Sequence, residues 1–157
     1  MENKEFDFHE IKTFADACRR LGISENTELL ETFSGDMEAF LQANALYKLM
    51  IIQKAINNDK WHDNDGFGYY PVFMLISKEE MDKLSEEEKQ RKGIKQILSC
   101  AYTDYSGVLR VDHANRGSYA YSDYGAPFCF NSKEVALYVG NQFEDLFLQY
   151  YGIKLLN

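Results

Sequence analysis

The chain has 157 residues and a formal net charge of −8, with 45% hydrophobic and 15% aromatic residues. This length and apolar content predict a single domain over residues 1–157 and argue against intrinsic disorder, which requires low hydrophobicity. The excess of acids argues against non-specific binding to duplex nucleic acid, because such binding needs a basic face that displaces counterions.

The acidic residues are concentrated at the start of the chain. Residues 1–36 contain nine acids and four bases, a net charge of −5, and the ordinary role of such an excess is solubility. The opening MENKEFDFHEIK has no apolar run typical of a signal peptide, and residues 49–52 form an apolar run far too short to span a membrane. The three cysteines are odd in number and widely separated. We therefore expect a cytoplasmic protein with reduced cysteines.

The first predicted elements are two helices. Thr13 has the pattern of an N-cap with Asp16 three residues later, and Gly22 is the expected left-handed stop. Asp36 is the expected N-cap of a longer helix over residues 37–57, whose apolar side chains cover most of its circumference. Because a helix that is apolar almost all round is typically buried, this long buried helix is the expected axis of the domain.

The middle of the chain combines an apolar strand with a charged segment. Residues 69–76, YYPVFMLI, favour a strand, and Pro71 restricts that strand to an edge or places it near the strand's start. Capping-box patterns at Ser77 and Ser85 then predict short helices within residues 78–92. This charged helical excursion is expected to be solvated.

The last third of the chain predicts strands followed by one helix. The strands are expected at residues 94–102, 107–112, 118–124 and 126–130, with a turn at 115–117. An amphipathic C-terminal helix is expected to follow a cap formed by residues 131–134, with Glu134 at its N3 position, and to end at Gly152. Since helices and strands are grouped rather than alternating, the predicted fold class is α+β, a small antiparallel sheet packed with helices.

Three segments of the chain carry a family resemblance. They are FADACRRLGIS, then ALYKLMIIQKAINND followed by Trp and YYPVF, and finally GAPFCFNSKEVALYVGNQFEDLF. These segments resemble a family of small uncharacterised proteins from gut anaerobic bacteria and their phages, over most of residues 13–150. Residues 77–93 do not share this resemblance. It implies the same order of elements, a cytoplasmic location and an accessory role with a host or phage protein as partner, and it implies no catalytic residue.

Metal and cofactor motifs are not supported by the sequence. If Gly66 takes the sixth position of a calcium loop, Trp61 falls at the first position and Val72 at the twelfth, where acids are required. The histidines and cysteines lack the close spacing of a zinc site. No nucleotide-binding glycine motif follows a strand. We therefore predict no metal and no cofactor.

A catalytic cysteine is the nearest approach to an enzyme. Cys100 or Cys129 with His113 is a conceivable nucleophile and base, if the fold brings them together. Cysteine in an apolar strand is more typical of a small buried hydrophobe, and we interpret Cys129 in that way. No motif supports catalysis, although catalytic groups can also assemble without one.

The region around residues 102–124 is rich in tyrosine and also contains Arg110, His113 and Arg116. Strand alternation places Tyr119 and Tyr121 on one face and Tyr124 on the other. Tyrosine and arginine form good protein contacts, and tyrosine also stacks on unpaired bases. A half-buried sheet whose hydroxyl groups reach water explains the same pattern. The candidate binding residues are Arg110, His113, Arg116, Tyr119, Tyr121 and Tyr124.

The leading functional prediction is a non-catalytic accessory or interaction protein that uses this aromatic sheet face. Single-stranded nucleic-acid binding on the same face is the alternative, disfavoured by the lack of a basic cluster. A second alternative is that the acidic residues of segment 1–36 imitate a nucleic acid and occupy a basic partner. The sequence assigns neither the partner nor the oligomeric state.

Overall fold

The structure, a computed structural model, describes residues 6–25, 35–57, 67–100, 104–117 and 129–156. The helices of these residues are α1 (Phe14–Leu21), α2 (Met37–Ile56), α3 (Lys78–Asp82), α4 (Glu86–Lys92), α5 (Lys133–Gln142) and α6 (Glu144–Tyr150). The strands are β1 (Phe67–Ser77), β2 (Lys95–Ser99), β3 (Tyr105–Gly117) and β4 (Lys154–Leu155). The grouped helices and the antiparallel sheet confirm the predicted α+β class.

The strands form one sheet in the order β1-β3-β2-β4, and each neighbouring pair is antiparallel. Tyr69 on β1 exchanges both of its backbone hydrogen bonds with Phe130, at 2.9 and 2.7 Å, on the side away from β3. Pro71 is two residues further along, so its nitrogen also points away from β3. The β1–β3 ladder therefore needs no N–H at this position. Among the strands that the structure describes, β1 ends the order, which agrees with the predicted edge position of Pro71. Pro71 is the fifth of the eleven residues of β1, so the alternative position near the strand's start is wrong.

The predicted turn at residues 115–117 is wrong. β3 continues through Gly117, and its last residues pair with the start of β1, Asn115 with Tyr69 and Gly117 with Phe67. β1 begins at Phe67, two residues earlier than expected, and therefore supplies a partner for each of these residues. Cross-strand pairing outweighs the local turn propensity here. Of the predicted strands beyond Gly117, residues 118–128 lie outside the described part of the chain.

Capping hydrogen bonds form at the helix starts that the sequence predicts. The Thr13 hydroxyl accepts from the backbone of Asp16 at 3.1 Å, while the Asp16 carboxylate accepts from the backbone of Thr13 at 2.9 Å. Ser77 and Ser85 form the same reciprocal capping boxes at the starts of α3 and α4. Asp36 caps α2 by accepting from two backbone N–H groups. All four caps satisfy donors that a helix start would otherwise leave unpaired.

The C-terminal helix is broken, contrary to the single helix that the sequence predicts. Phe143 has φ −119° and ψ 26°, outside the helical region, and it separates α5 from α6. Gly140 and Asn141 precede the break and are weak helix formers. The break lets α5 pack against β1 while α6 packs against α2. The Ser132 cap accepts from Val135, so Val135 rather than Glu134 occupies N3.

The core lies between the helices and one face of the sheet. The second half of α2 is buried through Ala45, Leu49 and Ile52, whereas its first turns are exposed. The predicted long helix is therefore confirmed, and its predicted burial holds for the part from Ala45 onward. A larger cluster around α2 also contains Phe130 and Phe147. A smaller cluster lies under the sheet and consists of Ile97, Val108, Leu148 and Ile153.

Candidate interaction surface

The two faces of the sheet have different surroundings. Phe73 and Leu75 on β1 pack against the core clusters, as Ile97 on β2 does. Since side chains alternate along a strand, Met74 and Leu98 point to the opposite side. Their exposures are 52% and 63%. We call the side of the sheet that carries Met74, Ile76 and Leu98 the outer face.

Part of the outer face is covered by the charged excursion. Met81 of α3 is buried, and its side chain lies against Gly107 of β3 so closely that a Cβ on this glycine would meet the Met81 sulfur. Gly107 pairs with Ile76 across the ladder, and Ile76 is also buried. Met81 therefore covers the outer face where β1 ends and β3 begins, and Met74 and Leu98 stay exposed on either side of β3.

Three of the six predicted binding residues lie on β3. In the β1–β3 register, Arg110 is opposite Phe73, and His113 is opposite Pro71. Arg116 is opposite Gly68. The structure thus brings the backbone of these three residues into one strand, between the strands that carry Met74 and Leu98. The other three predicted residues, Tyr119, Tyr121 and Tyr124, lie outside the described residues.

Met74 and Leu98 are the residues of this surface that the sequence reasoning missed. Both belong to segments that the sequence predicts as strands, residues 69–76 and 94–102, without distinguishing the two faces. Strand alternation could have identified Met74, because Phe73 and Leu75 lie on the buried face of β1 and Met74, between them, lies on the opposite face. That α5 packs against the sheet on one side while α3 covers only part of the other depends on tertiary packing.

Cys129 is held in place by two buried polar side chains of α2 and its cap. The Gln53 Nε2 and Asn57 Nδ2 atoms donate to the Cys129 carbonyl oxygen, at 2.9 and 3.0 Å. The Cys129 side chain packs against Gly68, where an added Cβ would come within 2.8 Å of the Cys129 Cβ. Burial raises the pKa of the Cys129 thiol. Since the thiolate is the nucleophilic form, this environment favours the interpretation of Cys129 as an inert, packed residue.

The described ranges contain no group of three or more His, Cys, Asp or Glu side chains that could hold a metal ion. The calcium-like loop at residues 61–66 lies outside those ranges. In the part of the chain that the structure describes, no helix has both the length and the apolar character needed to cross a membrane. Comparison with protein-family models, with curated proteins and with solved structures finds no match.

Proposed function

We propose that this protein is a non-catalytic interaction protein that binds a protein partner through the outer face of its sheet. The observation that supports the proposal is the exposure of Leu98 and Met74, at 63% and 52%, on the face that helices α5 and α6 do not cover. Removing such apolar area from water favours association. Met74 adds a flexible, polarisable side chain of the kind found on adaptable binding surfaces.

The proposal rests on Met74 and Leu98 and not on Arg110, because the register pairs Arg110 with Phe73, a residue of the inner face. His113 and Arg116 lie further along β3, opposite Pro71 and Gly68. A cytoplasmic location and a host or phage protein as partner belong to this proposal, and they are supported by the resemblance of the three sequence segments.

Affinity capture with matched variants tests the proposal. Tagged wild-type protein, a Met74→Ser/Leu98→Ser double variant and a Met37→Ser control are each exposed to lysate of a gut anaerobic bacterium. Met37 is 52% exposed, like Met74, but lies at the start of α2. We expect quantitative mass spectrometry to show one protein at near-equal amount with wild type and with Met37→Ser, and about tenfold less of it with the double variant.

Nuclease treatment separates the two candidate partners. A protein partner should survive treatment, whereas nucleic acid that is captured alone and lost on treatment would contradict the proposal. Fluorescence anisotropy with labelled oligonucleotides then provides a direct check, because binding to phosphates weakens steeply as salt increases. Capture of the same protein by wild type and by the double variant would also contradict the proposal, since it would place the contact elsewhere.

A further inference from the structure

A small cleft lies at the far edge of the sheet, away from β1. It is bounded by the first turns of α2, by α6 and by the chain from Gly152 to Leu155, and its volume is about 210 Å³. Sites for drug-sized ligands have volumes of roughly 300–1,000 Å³. The cleft is therefore the size of a single long side chain rather than of a cofactor.

The walls of the cleft are apolar and its rim is charged. Leu41, Leu148 and Leu155 contribute aliphatic side chains from three different elements. Leu148 is buried, and Leu41 and Leu155 are half-buried, so the aliphatic surface extends from the core to the opening. A straight hydrocarbon chain would bury apolar area along this surface.

The charge at the rim favours a cation. Glu38, Asp145 and Lys154 are the charged residues that line the cleft. Lys154 Nζ lies 3.4 Å from Glu38 Oε2, and both side chains are more than half exposed, so this contact is a weak surface ion pair. Asp145 is exposed and makes no ion pair within the described part of the chain. The rim therefore carries a net negative charge, within a chain whose total charge is −8.

We propose that this cleft binds a lysine side chain of a protein partner. The four-carbon stem lies along Leu41, Leu148 and Leu155, and the ammonium group is placed at the rim near Asp145. Lysine fits both properties of the cleft, because its stem is apolar and its end is a compact cation. A carboxylate side chain of similar length meets repulsion at the same rim. The cleft and the outer face are separate surfaces, and neither proposal depends on the other.

Nuclear magnetic resonance titration with three capped tripeptides tests the proposal. The probes are acetyl-Ala-Lys-Ala-amide, its norleucine analogue, which keeps the stem without the charge, and its glutamate analogue. We expect the lysine peptide to shift the backbone amides of residues 38–42 and 145–155 in a saturable way, with a dissociation constant of about 1–10 mM. The norleucine peptide should bind about threefold more weakly, and the glutamate peptide should leave these amides unshifted.

Two variants identify the charge that matters. Asp145→Asn should weaken binding of the lysine peptide about threefold and leave binding of the norleucine peptide unchanged. Asp82→Asn, which neutralises an exposed acid on α3, should change neither. The proposal is overturned if lysine and norleucine peptides bind equally, or if the lysine peptide shifts no amide around the cleft. Tighter binding of free n-butylammonium than of the lysine peptide would also overturn it, because the cleft would then be a site for a small amine.

Discussion

The two faces of the sheet are formed by the same strands and differ in what covers them. On the inner face, the rings of Phe73 and Phe147 are 5.3 Å apart, and Val108 packs in the same cluster as Leu148. On the outer face, the short helix α3 places Met81 over Gly107, while Leu98 remains 63% exposed. The inner face packs against α5 and α6, which bury whole side chains, and the outer face is covered in part by a short charged segment.

Because of this difference, the residues that stabilise the fold are not the residues that are exposed to a partner. Apolar burial supplies most of the free energy of folding, so substitutions on the inner face should lower stability. Exposed apolar side chains such as Met74 and Leu98 contribute little to folding and remain accessible to a partner. The comparison therefore predicts that stability and partner binding respond to different residues of one sheet.

The largest effect is expected from Phe147→Ala. Phe147 is 1% exposed and contacts Phe73 across the interface between α6 and the sheet. Removal of a buried phenyl ring leaves a cavity, and we expect a loss of about 3–5 kcal/mol in the free energy of unfolding. Urea denaturation followed by circular dichroism measures this value. A loss below about 1 kcal/mol would show that the inner face is loosely packed.

Met81→Ala should have the next largest effect, about 2 kcal/mol, because it removes the buried side chain that covers Gly107 and Ile76. Gly107→Ala should also destabilise the protein, since the new methyl group meets Met81. In the Met81→Ala background, that methyl group enters vacated space. We therefore expect the double variant to be more stable than the sum of the single changes predicts. Strict additivity would show that Met81 does not cover Gly107 in solution.

The sequence predicted well what depends on neighbouring residues. The caps at Thr13, Asp36, Ser77 and Ser85 were found because each joins a side chain to a backbone group two or three residues away. The continuation of β3 to Gly117 was missed because its partner, Phe67, is 50 residues earlier in the chain. Local turn propensity contains no information on such a partner.

The candidate sites also depend on contacts between residues that are far apart in the chain. The residues around the cleft lie more than 100 positions apart in the chain, with Leu41 on α2 and Leu155 on β4, so no sequence spacing brings them together. For the outer face, alternation places Met74 on the other side of the sheet from Phe73, but the partial covering of that face by Met81 is a property of the packed domain. The predictions for Arg110, His113 and Arg116 stay predictions, with their positions on one strand now defined.

A smaller effect, confined to α4, is expected when Glu88 at the start of that helix loses its charge. Hydrogen bonds from the backbone and the hydroxyl of Ser85 hold the pKa of Glu88 below its ordinary value of 4.5. Because the folded-state pKa is lowered, the stabilising contribution is present above pH 4.5 and is lost as the pH falls through the folded value.

Amide hydrogen exchange of residues 89–92 at pH 6 and pH 3, corrected for intrinsic exchange rates, measures this effect. Wild type should lose protection at the lower pH. Glu88→Gln should remove most of that difference, whereas Glu87→Gln, an exposed neighbour outside the capping box, should retain it. An equal pH response in wild type and in Glu88→Gln would show that a group other than Glu88 sets the pH dependence of this segment.

The smallest effect on stability is expected at the proposed contact surface itself. Leu98→Ser should change the free energy of unfolding by less than about 0.5 kcal/mol, whereas Leu75→Ser, the same change on the inner face, should cost about 2 kcal/mol. Thermal melts of the two variants measure this difference. If Leu98→Ser is as costly as Leu75→Ser, Leu98 is buried within the folded protein in solution, and the outer face is not available to a partner. A neutral Leu98→Ser that also loses the captured protein would assign this residue to recognition, because no loss of folding could then explain the loss of binding.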